Sequence, residues 1–301
     1  MESALKYFLV QAFASLIFIS STLSLSFHQE APYLLLTLAL LIKTGAAPFH
    51  QWVPTTLEGL SWGPVYLVLT IQKFIPLAML SFIVTLQGAS ACFTCFVVTS
   101  ALVGSVGGLN QTSLRKILAY SSITHISWLL RALSFARSSW LFYFTFYWLM
   151  LLSVINLLVI GQMSTISCLY IKKKKLVRTL TVINFLSLGG LPPFTGFVPK
   201  LIVISELMSC GRMFMLLPLL TGSLVRLYYY LNMAASFLLE TSSANSVNTL
   251  SKSLSPVTLV LNVLGLALPT VFVATLLNFK LSKLRAFKAL NKKVLSLQSL
   301  S

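Results

Sequence analysis

"LIKTGAAPFHQWVP", residues 41–54, sets Lys43 directly behind a run of leucines and then places Gly45 and Pro48 where a membrane-crossing helix would be expected to continue. A proline inside such a helix removes a backbone donor and crowds the preceding turn. The freed carbonyls then need protein or water instead of lipid. The stretch therefore reads as an interrupted helix with an ammonium beside the interruption.

The surrounding composition supports a membrane setting. Of 301 residues, 57% are hydrophobic and 9% charged, and the mean hydropathy is +0.89, outside the range of soluble domains. Apolar stretches of about 20 residues, enough to cross a hydrocarbon core of roughly 30 Å, recur along the chain. They do not alternate polar with apolar residues, so helices and not barrel strands are predicted. The first stretch, from Ala4, is followed by no small-residue cleavage site and reads as a span.

The net charge of +17 would suggest nucleic acid in a soluble protein. Here many cations sit in short loops and a tail, and membrane topology accounts for them. Asp is absent and the acids are Glu2, Glu30, Glu58, Glu206 and Glu240, which excludes a carboxylate-rich metal site. Cys92 and Cys95 form a C-x-x-C pair inside an apolar run, and Cys168 and Cys210 stand apart. Without a second pair or a histidine cluster, they read as packing residues, and no metal is expected. No Gly-rich nucleotide loop follows a strand, so no cofactor site is visible.

Gly, Pro, Ser and charge divide the chain into about nine predicted helical spans near 4–26, 32–49, 63–85, 91–108, 114–132, 139–161, 178–208, 212–236 and 255–278. The fold class is thus all-α, a polytopic membrane protein, with a single domain to residue 278 and a basic tail at 279–301. Loops on the side of the N-terminus hold Arg115, Lys116, Lys172 to Lys175, Arg178 and Lys252, against Arg131, Arg137 and Arg212 opposite. The N-terminal side is therefore predicted to be the inner, positive one. The lysines and arginine of the tail run against that assignment.

The seventh span is too long for one straight crossing and contains "LSLGGLPPFTGFVPK". Aligned with the opening stretch, "GLPPFTGFVP" (190–199) and "GAAPFHQWVP" (45–54) share G-x-x-P-F-x-x-aromatic-V-P. A duplication is inferred, with helix breaks at Gly45, Pro48 and Pro54 and at Gly190, Pro192, Pro193 and Pro199. Paired interrupted spans in two halves of a membrane protein point to an ion or substrate pathway near the midplane, as in inverted-repeat transporters. Lys43 precedes the first break and Lys200 follows the second. Lys73 lies near the centre of the next span, three residues before Pro76.

An ionised lysine at that depth costs on the order of 3 kcal/mol. Snorkelling toward the interface is the plainer alternative for each lysine. In a dry interior the amine form of lysine is favoured, and water or a carboxylate restores the ammonium, so such residues can take up and release protons. His125 is the histidine well inside a span, suited to a relay, with Ser121, Ser122 and Thr124 beside it as candidate holders of a water file. Glu206 is a secondary candidate, with an ion-pair or loop-facing role.

"ALKYFLVQA", "KTGAAPFHQWVP", "GGLNQTSLRKILAYSSITHISW", "LSLGGLPPFTGFVPK" and "LYYYLNMA" resemble, in order from about residue 4 to 235, the subunit 2 family of mitochondrial NADH:ubiquinone oxidoreductase, the smallest antiporter-like subunits of respiratory complex I. The resemblance implies an antiporter-like inverted repeat, its first half shortened and its second starting near 91. It also implies a proton-pumping subunit of a mitochondrial inner-membrane complex, partnered by other membrane-arm subunits and lipid, with no flavin, iron–sulfur cluster or quinone of its own. NADH and ubiquinone would react elsewhere in the complex. The family's pathway residues fall on Lys43, Lys73, His125 and Lys200. Its pairing glutamate stands on a helix two spans before the "KYFL" segment, and Met1 here lies five residues before Lys6, so a truncated start, a shortened form or an acid from another subunit is expected. A free-standing cation/proton antiporter and a purely structural subunit are the competing readings.

Overall fold

The computed structural model describes residues 2–24, 31–87, 91–135, 137–166, 175–192, 194–211 and 213–239. Glu30, Cys168, Lys172 to Lys174, Pro193, Arg212, Glu240, the ninth predicted span and the basic tail lie outside them. The described chain is helical: α1 (Glu2–Ser24), α2 (Ala31–Thr44), α3 (Trp52–Glu58), α4 (Trp62–Leu69), α5 (Ile71–Gln87), α6 (Ala91–Gly107), α7 (Leu114–Leu133), α8 (Arg137–Gly161), α9 (Lys175–Gly189), α10 (Phe197–Ser209) and, after a 3-10 turn at Met213–Met215, α11 (Leu216–Leu239). Four described stretches, Glu2–Ser24, Trp62–Val84, Ser139–Gly161 and Met213–Ala235, are long and apolar enough to cross a membrane.

α7 is the axis. From Ser121 to Leu133 every residue is buried, and α3, α6, α8, α10 and α11 all pack against it. A helix covered on all sides needs partners that come close, and α6 supplies glycines for this. A Cβ on Gly104 would lie 2.8 Å from the Thr124 backbone nitrogen, and one on Gly107 would strike the Tyr120 ring. The G-x-x-x-G spacing of Gly104 and Gly108 is therefore an internal contact in this chain. By contrast, α1 buries Ala14 and Ser21 and exposes Leu5, Phe8, Leu9, Phe13, Leu16, Ile19 and Leu23. That is the surface expected of a peripheral helix in lipid.

The two interruptions fall at the predicted glycines, whereas Pro48, Pro54 and Pro199, expected as breaks, end no helix. Pro48 falls in an exposed turn, and the first helix has already ended at Thr44. Pro54 and Pro199 do not break anything: they occupy the first turns of α3 and α10, where the missing N–H would have had no helical partner. The predicted span 63–85 is itself divided, at Thr70 (φ −117°, ψ −81°). The break lies upstream of Pro76, which stays inside α5. At Thr70 both the backbone N–H and the hydroxyl donate back to the Tyr66 carbonyl, at 3.1 and 2.6 Å, a local competition with the helix that threonine side chains favour.

Candidate proton-transfer site

At the first interruption α2 closes with Gly45 at φ +76°. Ala46 N–H reaches the Leu41 carbonyl and Gly45 N–H the Ile42 carbonyl, each at 3.1 Å, the double bond of a glycine-terminated helix. The Trp52 indole donates to the Ile42 carbonyl at 3.2 Å, tying α3 to the cut end. Lys43, in the last turn, is half-buried, and its Nζ sits 5.3 Å from the Phe18 ring centroid.

The second interruption repeats the design with a charged tie. α9 ends at Gly189, and Gly190 adopts φ +79° with its N–H on the Leu186 and Ser187 carbonyls. Lys200 on α10 reaches back across the gap and donates Nζ to the Gly189 carbonyl at 2.6 Å. Its ammonium thereby caps the negative end of α9. Lys200 is 5% exposed and lies 6.0 Å from the Trp128 ring, so it does not snorkel. Gly190 fits twice over, because a Cβ there would lie 2.4 Å from Lys200 Nζ. Gly190→Ala is expected to cost about 1–2 kcal/mol from left-handed backbone alone and to push the amine off Gly189. A lowered melting temperature of the assembled complex would show it, and an unchanged one would count against the contact.

Between the interruptions lies His125. It is buried, and Nδ1 stands 3.0 Å from the Tyr143 hydroxyl. The Tyr147 ring packs at 4.8 Å, and the Leu188 backbone stands within hydrogen-bonding reach of the imidazole. Tyr143 and Tyr147, one turn apart on α8, present the same face to it. Arg226, Lys200 and Lys73 all act on the ring as nearby positive charges. Arg226 is fully buried in α11 and donates Nη1 to Thr124 Oγ1 at 2.8 Å, with Nε and Nη2 unpartnered. Lys73 is 2% exposed and its Nζ has no hydrogen-bond partner. The structure therefore brings Lys73 and Lys200 into the buried electrostatic neighbourhood of His125, whereas Lys43 stands half-buried against Phe18.

Ser121, Ser122 and Thr124 are less free than expected. Each hydroxyl donates to the carbonyl three residues earlier, at 2.9, 2.6 and 2.7 Å, so each offers the cluster lone pairs only. Glu206 is half-buried on α10, with the Ser139 hydroxyl beside it. Glu2 pairs with Lys6 at 3.9 Å and Glu58 with Lys116 at 2.9 Å. Among the described residues these two ion pairs lie outside the cluster. Cys92, Cys95 and Cys210 are free and exposed.

Both broken helices are closed by a left-handed glycine, Gly45 in one and Gly190 in the other. Residues 1–226 fit the NADH:quinone oxidoreductase/Mrp antiporter transmembrane family. The chain belongs to that family. Within the family it is 36% identical over 282 residues to NADH-ubiquinone oxidoreductase chain 2 of Anopheles gambiae, a match taking in 88% of this chain and 80% of the relative. A chain of respiratory complex I from Thermus thermophilus superposes with a TM-score of 0.70 at 27% identity, covering 89% of this chain and 66% of that one. A chain of the Mrp complex from Dietzia sp. DQ12-45-1b shares the fold, with a TM-score of 0.74 at 17% identity, 92% of this chain and 66% of its own. The chain thus spans just under two thirds of these two solved chains.

Arg226, buried and bonded to Thr124, is the charged residue beside His125 that sequence reasoning missed. The signal was available, since a charge in "TGSLVRLYYYLNMA" breaks an apolar span as Lys73 does.

Proposed function

We propose that the chain is a proton-translocating membrane-arm subunit of an NADH:ubiquinone oxidoreductase of the mitochondrial inner membrane. Protons move through Lys73, His125 and Lys200, and electrons pass elsewhere in the complex. The observation that carries this reading is Lys73: an amine that is 2% exposed, with no hydrogen-bond partner, sharing an electrostatic neighbourhood with His125 and Lys200. A structural lysine would be paired or would reach the headgroups, because a buried unsatisfied polar group costs about 1–3 kcal/mol. The family supports the setting, since its relatives are named as chain 2 of the oxidoreductase.

A proton that arrives near Lys73 passes to His125, whose two nitrogens can accept on one side and release on the other. Lys200 receives it at the mouth of the second break, where freed backbone carbonyls face protein. Lys43, beside the first break, sets the charge that Lys73 feels. The positive loops of Arg115 and Lys116 mark the inner side. On native gels the chain is expected in a very large assembly, and migration alone would favour a free-standing antiporter. In that assembly His125→Phe, which keeps the ring packing against Tyr147, should lower protons pumped per NADH oxidised. An unaltered ratio would remove His125 from the path.

A further inference from the structure

A cavity of about 190 Å³ opens at the end of the bundle where α6 turns into α7, lined by Gly108, Gln111, Tyr229 and Asn232 among others. This is room for several waters, and the amides of Gln111 and Asn232 give them partners. The opening exists because residue 108 is glycine: a Cβ there would lie 2.8 Å from the Tyr229 ring. Arg115 and Lys116 begin the adjoining turn of α7, so the mouth lies on the end of the molecule with the basic loop.

Inward from the cavity the groups are polar and incompletely bonded. Tyr229 is 4% exposed, and its buried hydroxyl lies against that of Tyr230. Its ring meets that of Tyr230 edge-on at 4.7 Å. The buried Tyr230 hydroxyl also pairs with the Ser121 side chain, and the Arg226 guanidinium lies near. Arg226 in turn bonds Thr124, the neighbour of His125. Arg226 Nε and Nη2 stay buried without a partner beside these hydroxyls, and guanidinium N–H groups left so are costly unless water joins them. Packing alone would be served as well by phenylalanine.

We propose that this cavity is the inlet through which water carries protons from the basic-loop side to the buried cluster, by way of the Tyr229 and Tyr230 hydroxyls and the Arg226–Thr124 pair. The inference rests on the proton-translocating reading and names its point of access. The ligand is water and its hydrated proton. Each tyrosine hydroxyl accepts one proton and gives up another, so it is regenerated at every passage. Arg226, always cationic, carries no proton itself. It orients water beside Thr124 at the edge of the buried cluster and is a positioning residue.

The test uses the assembled complex with Asn232→Cys, treated before reconstitution with a bulky, charged methanethiosulfonate. The parent complex, whose Cys92, Cys95 and Cys210 are exposed, is treated in parallel. Each protein is compared before and after modification, so folding is not in question. Filling the inlet should reduce NADH-driven proton uptake about tenfold, the low end of what a positioned proton-transfer group contributes, with no such loss in the parent. Mass spectrometry verifies labelling. A Cys at 232 that does not react, or that reacts without loss of pumping, overturns the inlet. Lys73→Met in the same preparation separates the two claims. Pumping that is sensitive to Lys73→Met and insensitive to the plug leaves the function standing and moves the inlet elsewhere, whereas pumping insensitive to both removes the function as well.

Discussion

Lys73→Met should reduce both proton pumping and ubiquinone-linked NADH oxidation by about tenfold or more, within the range that a positioned proton-transfer group contributes. Methionine fills nearly the same volume with the same unbranched stem, so packing between α5 and α7 is retained. Removing an unpartnered buried amine is expected to leave the fold as stable as before or more so, because no partner is orphaned by its loss. This sign separates the functional reading from the structural one. A lysine kept for structure would destabilise the complex when removed and spare its coupling, while a lysine kept for protons does the reverse. The measurement is a pair: thermal stability of the complex, and acidification of proteoliposomes driven by NADH. Intact pumping together with a lowered melting temperature would refute the assignment of Lys73.

How much of this was legible depends on which residues carry their own geometry. Gly45 and Gly190 could be read from sequence because positive φ is a property of glycine itself, and the shared motif marked both positions. Their prolines were harder to place. Pro54 and Pro199 stand in sequence as breakers, yet proline is as well suited to the first turn of a helix as to a break, and only the position of the helix start decides which. The division at Thr70 left no compositional sign, since it turns on where one hydroxyl donates. Lys73 and Lys200 were visible as charges in apolar spans. Arg226 obeyed the same rule and was passed over because it lay near neither break. The contact of Tyr143 with His125 joins α8 to α7, and in "FYFTFYWL" a tyrosine that meets a buried histidine looks like any other bulky ring. Ser121, Ser122 and Thr124, named from sequence as candidate holders of a water file, each donate to the carbonyl three residues earlier, a bond that residue type alone does not announce.

Lys200 raises a question that its geometry alone does not separate, since a cation on the Gly189 carbonyl at 2.6 Å serves equally as a helix cap and as a proton carrier. Lys200→Arg distinguishes them. A guanidinium can reach the same carbonyl, complements the end of α9 and stacks against Trp128 at least as well as an ammonium, but it does not give up its proton at any physiological pH. If the residue is a cap, the variant assembles and pumps normally. If the proton must leave this site to cross the membrane, the variant assembles, melts within about 1 kcal/mol of the parent, and loses pumping about tenfold or more. Lys200→Met provides the other reference: it loses both roles, leaves the Gly189 carbonyl unsatisfied in a buried setting and should cost about 1–3 kcal/mol of stability besides. The order of the three proteins in stability, parent close to arginine and both above methionine, then reports the cap. Their order in pumping, parent well above arginine and methionine alike, reports the proton. A pump that ran unimpaired with arginine at the second break would confine Lys200 to holding two half-helices together, and the path from His125 would have to leave the cluster by another group.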